Sequence, residues 1–459
     1  MNLILIVADT FRFDNLFQRA HMPVHTPNLD AFAGRAVSAA KMYAAGFPTV
    51  SHRRNLISGR YWPWPPWGDH DAGPQNILPR LLKQAGGHVT QFLGDCPHLF
   101  GAGFKAYFDA AHVLRGQEGD VYFLRMNRPI GEAMPPGKTR TTKHFQNRRL
   151  VDLHRWTNYT WRGEQDRFAV RLADLAIEWL EENCHHHPFF LWLDFFDPHE
   201  PWDPPEYMVR AYDPQYLGCP MLHPNYGKAS DLSAPELHNL RAHYCAEVEL
   251  VDRQIGRFVQ RLDDLKLWSS TAVVFTTDHG TSLGEHNRTG KGNRNVNDDR
   301  YWPPYPEVAH LPFMISAPGL AEGTEIDTLL EPTDILPTLL DLLDLEGRAP
   351  EAMHGQSFLP NLQGASRQAV RELSMTGAMD FLAAGGTEPP VFYAERWAYV
   401  PIGVQGDPEL YDLENDSGAL DNVIERHTDV AHDLRGKIRD ELEGLGVPAA
   451  VIDRLRPGA

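Results

Sequence analysis

Positive charge is scarce in this chain: 43 Lys and Arg stand against 61 Asp and Glu, a formal net charge of −18. So acidic a surface repels nucleic-acid phosphates and anionic lipid headgroups, so neither is an expected partner. Any anion site must then be a local cluster of cations. Cysteine is scarce too. Cys96, Cys184, Cys219 and Cys245 are scattered, with no CxxC pair and no zinc-ribbon spacing. That argues against a disulfide framework and for reduced, buried thiols. No apolar run approaches the roughly 18 residues that cross a bilayer. The opening Met1-Asn-Leu-Ile-Leu-Ile-Val-Ala-Asp9 is a short apolar stretch without a basic lead or a cleavage site. It does not read as a secretory leader, and cytoplasmic residence is the expectation. Internal repeats and low-complexity linkers are missing as well.

What is present is core material. Apolar residues make up 42 %, with 22 Phe and 11 Trp, enough for a large domain and a smaller one. Residues 3–8, 189–193 and 272–276 are continuous apolar runs of the kind that form strands buried on both faces of a parallel sheet. Amphipathic helical patterns occupy residues 76–85, 166–182 and 236–264. This alternation implies an α/β sandwich. Each run ends in polar residues: Asp9-Thr10, then Asp197-Pro-His199-Glu-Pro, then Asp278-His279-Gly280. Ligand sites in open α/β sheets lie at that edge. A helix over 331–343 closes the main domain. Beyond about 360 come shorter strands around Val391, Trp397 and Glu409, then a charged helix over 425–444. The expected division is therefore a main domain over 1–360 and a small α+β domain over 361–459. The Pro/Trp-rich segment 62–75 reads as a packed surface loop or a pocket wall.

Residues 49–60 read Thr-Val-Ser-His-Arg-Arg-Asn-Leu-Ile-Ser-Gly-Arg. The stretch resembles the sulfatase signature Cys/Ser-x-Pro-Ser-Arg-x-x-Leu-x-Thr-Gly-Arg, with Arg53, Leu56, Ser58, Gly59 and Arg60 on its positions or close substitutes. Further segments match the same family in order: Asp9-Thr-Phe-Arg-Phe-Asp-Asn-Leu, Thr26-Pro-Asn-Leu-Asp, His199-Glu-Pro, Asp278-His-Gly-Thr-Ser-Leu-Gly-Glu-His286 with Lys291-Gly, Asp334-Ile-Leu-Pro-Thr-Leu-Leu-Asp and Glu409-Leu-Tyr-Asp-Leu. The chain thus resembles the sulfatase branch of the alkaline phosphatase superfamily over nearly its whole length. The resemblance implies a large, mostly parallel mixed sheet between helices, one divalent cation (Mn, Ca, Mg or Zn) and hydrolysis of a sulfate or phosphate ester.

Three departures narrow the chemistry. Thr49 stands where the family oxidises Cys or Ser to formylglycine, and threonine cannot become that aldehyde because its β-carbon carries a methyl group. Thr10 replaces a second aspartate after the first strand. Gly94-Asp-Cys-Pro-His98 replaces Gly-Lys-x-His, so a substrate-facing lysine is missing. The resemblance assigns Asp9, Asp278 and His279 as metal ligands, with Thr10 and the Thr49 oxygen beside them. It assigns Arg53, His199 and Lys291 as catalytic or oxyanion-holding groups, and His98 and His286 as substrate-binding residues. Plainer readings exist for each. Thr49 could be an N-cap without chemical work, Asp9 could cap a turn, and His185 to His187 reads as a solvated turn. Arg53, one helical turn beyond Thr49, would share its face.

A threonine adduct has no route out by elimination, so water must attack it. Relatives with threonine in this position act on phosphodiesters and phosphonates through a phosphothreonine. The resemblance therefore implies a one-metal hydrolase of phosphodiesters or phosphonate monoesters acting on small-molecule or sugar-linked esters. Two alternatives stand beside it: a sulfuric ester hydrolase working without formylglycine, and an inactive relative that binds a sulfated or phosphorylated ligand. Assembly with further copies of the chain is compatible with all three.

Overall fold

The computed structural model describes residues 1–18, 23–61, 76–118, 120–135, 137–139, 141–142, 146–292, 302–350, 353–377 and 389–455. The Pro/Trp-rich segment 62–75 lies outside them. The chain forms two compact units that interleave in sequence. The first comprises Met1–Ser38, Gly87–Asp298 and Pro312–Thr324; the second comprises Ala39–Gly86, Asp299–Leu311 and Glu325–Ala459.

The first unit is built on a mostly parallel sheet. Its strands are β1 (Asn2–Ala8), the start of β2 (Val37–Tyr43), β3 (Val89–Gly94), β4 (Ala110–Val113), β5 (Phe189–Phe195), β6 (Thr271–Thr276) and β7 (Phe313–Ser316). They lie in the order β2-β7-β6-β1-β5-β3-β4. From β6 to β4 every neighbour is parallel, and β7 runs antiparallel to both β6 and β2. Every residue of β1, β5 and β6 is buried, which is why these runs are apolar without alternation. Ile4, Ile6 and Ala8 pack in one core with Leu172, Ala176 and Leu180 of the helix Phe168–Asn183 and with Val248, Val251 and Ile255 of the helix Ala234–Asp264. Each fully buried Val, Leu or Ile side chain there contributes about 1.5–3 kcal/mol. The long helix starts at a capping box, Ser233 and Glu236 satisfying each other's end groups.

The second unit holds the helix Thr49–Ser58, the short helix Ile335–Leu342 and a four-stranded antiparallel sheet. Its strands are β8 (Ser374–Thr376), β9 (Val391–Tyr393), β10 (Trp397–Val400) and β11 (Glu409–Asp412), in that order. Leu434, Ile438 and Leu442 of the helix Thr428–Gly444 pack on Phe392, Tyr399 and Leu410 of the sheet. This is the small α+β element expected towards the C-terminus. Among the described residues no helix is long and apolar enough to cross a membrane. None of the four cysteines is in a disulfide, but Cys219 is half-buried rather than buried like the other three. Its position in the loop after Asp213 takes it out of the core pattern.

His354 ties down the end of the helix Thr49–Ser58. Gly59 closes that helix in the left-handed region (φ 65°), and its carbonyl accepts the N–H groups of His354 and Gly355. In return the Tyr61 N–H donates to His354 Nδ1 at 3.0 Å, and the two rings stack. Burial, then Arg60 and Arg371, push the His354 imidazole down to about 4. Its folded value lies below the roughly 6.5 of an unfolded chain. Its stabilising contribution is therefore full above about pH 6.5 and is lost as pH falls towards about 4. The melting temperature of the wild type should drop over that window, and His354→Asn should flatten the drop. Parallel curves for the two proteins would remove His354 as the cause.

Candidate functional site

The polar ends of β1 and β6 meet because the strands are parallel neighbours. Asp9 follows β1 and Asp278 follows β6 after Thr277. Thr277 locks the two loops together: its hydroxyl donates to the Ala8 carbonyl at 2.6 Å and accepts the Phe11 N–H at 3.1 Å. Asp9, Asp278 and His279 are fully buried, and one ligand atom from each lies within 4.8 Å of the others. His279 donates its Nδ1–H to the Gly280 carbonyl at 2.9 Å. That fixes the tautomer and turns the Nε2 lone pair towards the acids, 3.4 Å from Asp278 Oδ2 and 4.0 Å from Asp9 Oδ1. Two buried carboxylates and an imidazole lone pair repel one another unless a positive charge lies among them. The donor set, two hard oxygens and a borderline nitrogen, fits one divalent cation.

Thr10 joins this cluster to a lysine. Its backbone is left-handed (φ 63°), an uncommon state for a β-branched residue. The strain is held by four bonds. The Thr10 N–H donates to Asp278 Oδ1 at 3.0 Å, its hydroxyl donates to Asp9 Oδ1 at 2.8 Å, Lys291 Nζ donates to that hydroxyl at 2.9 Å, and the Tyr244 hydroxyl donates to the Thr10 carbonyl at 2.8 Å. Lys291 reaches on to Glu200 Oε2 at 3.4 Å, and Glu200 also accepts the Tyr226 hydroxyl. Burial pushes the Glu200 carboxyl up, but His199 and Lys291 outweigh that and hold it below the usual range.

His199 departs from its expected role as a positive or donor group. Burial, the dominant cause, pushes it down to about 3, so it is neutral at working pH. Its Nδ1–H is committed to the Glu200 carbonyl at 2.7 Å. What remains is an acceptor, Nε2. It follows that the cation holding Glu200 ionised at neutral pH is Lys291. His98, on the short helix Pro97–Gly101, meets Glu118 Oε2 with its Nε2 at 3.1 Å. Burial pushes Glu118 up, but its bond with His98 prevails and holds it at about 2. Beneath these, the Gln117 amide bridges Asp95 Oδ2 at 3.3 Å and Asp197 Oδ1 at 2.6 Å. Burial lifts Asp197 to about 6; burial and then Asp197 push Asp95 well up.

Thr49 and Arg53 lie in the second unit. Thr49 is the first residue of its helix; Pro48 occupies the cap position and no side chain caps the helix. The reading of Thr49 as an N-cap is therefore set aside. Thr49 is 5 % exposed and Arg53 is fully buried. The strand-like turn before the helix is fixed by the Phe47 N–H to the Gly377 carbonyl and the Gly46 N–H to Asn55 Oδ1, at 3.0 and 2.6 Å. A side chain at Gly46 would collide with Asn55, so glycine is required for this close approach.

The first unit thus brings Asp9, Thr10, Asp278, His279, Lys291 and Glu200 into one bonded set, with His199 attached through Glu200. His286 sits on the turn Glu285–Asn287, whose Glu285 pairs with Arg12 at 2.8 Å. His185 and His186 are exposed on the turn after their helix, as expected. Glu118, Glu200 and Tyr226 were not anticipated as site residues. Glu200 stood inside the segment His199-Glu-Pro that matched the family, so its place beside His199 was an available signal. Nothing around Tyr226 announced it.

A family model described as Sulfatase matches residues 1–345, and one described as N-sulphoglucosamine sulphohydrolase, C-terminal, matches residues 292–445. An arylsulfatase of Clostridium perfringens is 25 % identical over 476 residues, covering 96 % of this chain and 94 % of its own. An endo-4-O-sulfatase of Bacteroides thetaiotaomicron is 26 % identical over 369 residues, covering 76 % and 68 %. The solved phosphonate monoester hydrolase of Agrobacterium radiobacter matches with a TM-score of 0.67 at 23 % identity, covering 97 % of this chain and 95 % of its own. At that identity the likeness speaks to the fold.

Proposed function

Because the chain belongs to the sulfatase family of the alkaline phosphatase superfamily and is a hydrolase of phosphoric or sulfuric ester bonds, we propose that its substrates are phosphodiesters or phosphonate monoesters and that Thr49 is the nucleophile. The observation that carries the reading is a buried threonine at the first turn of its helix, in a chain that also gathers Asp9, Asp278, His279 and Lys291. In the first step Thr49 Oγ bonds to phosphorus, the bond to the leaving alkoxide breaks, and the hydroxyl proton passes to solvent. Water then attacks the phosphorus, the P–Oγ bond breaks and the threonine is restored. A divalent cation held by Asp9, Asp278 and His279 would lower the pKa of a coordinated hydroxyl and offset charge on the substrate oxygens.

The chain's own groups do the rest. The Thr49 and Val50 N–H groups at the start of the helix and the Arg53 guanidinium suit the oxygens of a tetrahedral anion. The Lys291 ammonium suits charge that develops as the leaving group departs. Thr10 is proposed as a further ligand and His98 and His286 as contacts to the outer part of the substrate. The names of the curated relatives favour a second reading, a sulfuric ester hydrolase. Nitrophenyl phosphodiester, phosphonate, phosphate monoester and sulfate, each offered with Mn, Zn, Ca or Mg, separate the two. Turnover fastest on phosphodiester or phosphonate is expected. Sulfate as the best substrate would give the second reading precedence, and silence throughout would favour a binding protein.

A further inference from the structure

Outside the Asp9 cluster, a second set of donor atoms converges in the first unit. One ligand atom each from His98, Glu118 and His199 lies within 4.8 Å of the others. The three come from separate stretches: the short helix after β3, the loop beyond β4 and the loop after β5. We propose that these three side chains hold a second divalent cation, of the zinc, cobalt or manganese class, with a coordination position left open. The inference does not depend on the role of Thr49, and it gives His98 a ligand's role in place of a direct contact to the substrate.

Five features support it. His199 is fixed as the tautomer a metal needs, its Nδ1–H bonded to the Glu200 carbonyl at 2.7 Å and its Nε2 lone pair left over. Its ring plane is held by Phe196, stacked at 4.0 Å and 19°. His98 Nε2 and Glu118 Oε2 are 3.1 Å apart, close to the roughly 3.3 Å that two ligands about 2.0 Å from one tetrahedral zinc must keep. Glu118 also has a left-handed backbone (φ 34°), an uncommon state in a non-glycine residue and one that clusters at ligand sites. Glu118 and His199 are buried, while the His98 side chain is 47 % exposed, which leaves room for an added ligand from solvent. Two imidazoles and one carboxylate form a softer donor set than Asp9, Asp278 and His279. The two sites should therefore differ in preference, the second leaning towards zinc or cobalt.

The full-length chain, stripped by chelator and reloaded with zinc or cobalt, tests this by elemental analysis. Two ions per chain are expected for the wild type and one each for Glu118→Gln, His98→Gln and Asp278→Asn. Zinc should still raise the melting temperature of Asp278→Asn but not of Asp278→Asn combined with Glu118→Gln, since only an ion bound to the folded state stabilises it. His98→Gln keeps the test open if Glu118→Gln fails to fold, because His98 is half exposed. A single ion in the wild type, or two retained in Glu118→Gln or His98→Gln, overturns the proposal. Absent phosphoester turnover would leave these counts unchanged, so failure of the proposed reaction shows up separately.

Discussion

Thr49→Ala should lower kcat by roughly 10³- to 10⁵-fold while moving the melting temperature little. The two parts of that expectation come from different observations. The Thr49 side chain makes no cap bond to its helix, and Pro48 holds the cap position. Removing the hydroxyl and methyl therefore costs no cap, and Ala is a good helix former. The kinetic part follows from chemistry. If Thr49 Oγ forms a bond to phosphorus, no other group in the variant replaces it. A loss of 10⁴ corresponds to about 5.5 kcal/mol of transition-state stabilisation. Thr49→Ser keeps a hydroxyl on the same backbone and should retain much of the rate, which separates loss of the nucleophile from disturbance of the helix. Acid quenching during turnover should trap phosphate on the peptide that carries Thr49. Near-normal turnover in Thr49→Ala, or quenched wild type with phosphate on no residue, would return Thr49 to a structural role.

Much of this arrangement was legible in the residues, and the illegible part has a common cause. The runs at β1, β5 and β6 declare themselves because both faces of those strands are buried, so no polar residue interrupts them. Asp9, Asp278 and His279 follow as the first ionisable groups past two of those runs, and parallel pairing of β1 with β6 brings them together. The helix at Thr49 was visible from its motif and ends at Gly59 as a left-handed cap requires. The charge state of His199 was not visible. It depends on burial and on a carbonyl, neither of which a side-chain pattern records. The partner of Lys291 was hidden because Glu200 lies 91 residues away. Tyr226 and the Gln117 bridge between Asp95 and Asp197 are likewise contacts that only the folded chain makes. The interleaving of the two units could not be read from composition, since no linker-like stretch marks where the chain passes between them.

Lys291→Met should cost stability as well as rate, unlike the change at Thr49. Lys291 Nζ donates to Glu200 Oε2 at 3.4 Å and to Thr10 Oγ1 at 2.9 Å, and Glu200 is fully buried. An exposed pair of this kind would contribute no more than about 1 kcal/mol. Here, removing the cation leaves a carboxylate in the interior without compensation, which costs about 3–5 kcal/mol. His199 cannot take over, since burial keeps it neutral down to about pH 3. The Tyr226 hydroxyl still donates to Glu200 but brings no charge. Glu200→Gln in the same chain should then recover most of the lost stability, because the amide accepts the Tyr226 hydroxyl without a buried charge. It should not recover turnover, because the ammonium that faces Thr10 is still missing. The double-mutant cycle measures the pair directly. Melting like the wild type in Lys291→Met would mean that the pair is solvated. Recovery of rate in the double variant would mean that Lys291 serves only to hold Glu200, and that the positive group for the leaving oxygen lies elsewhere.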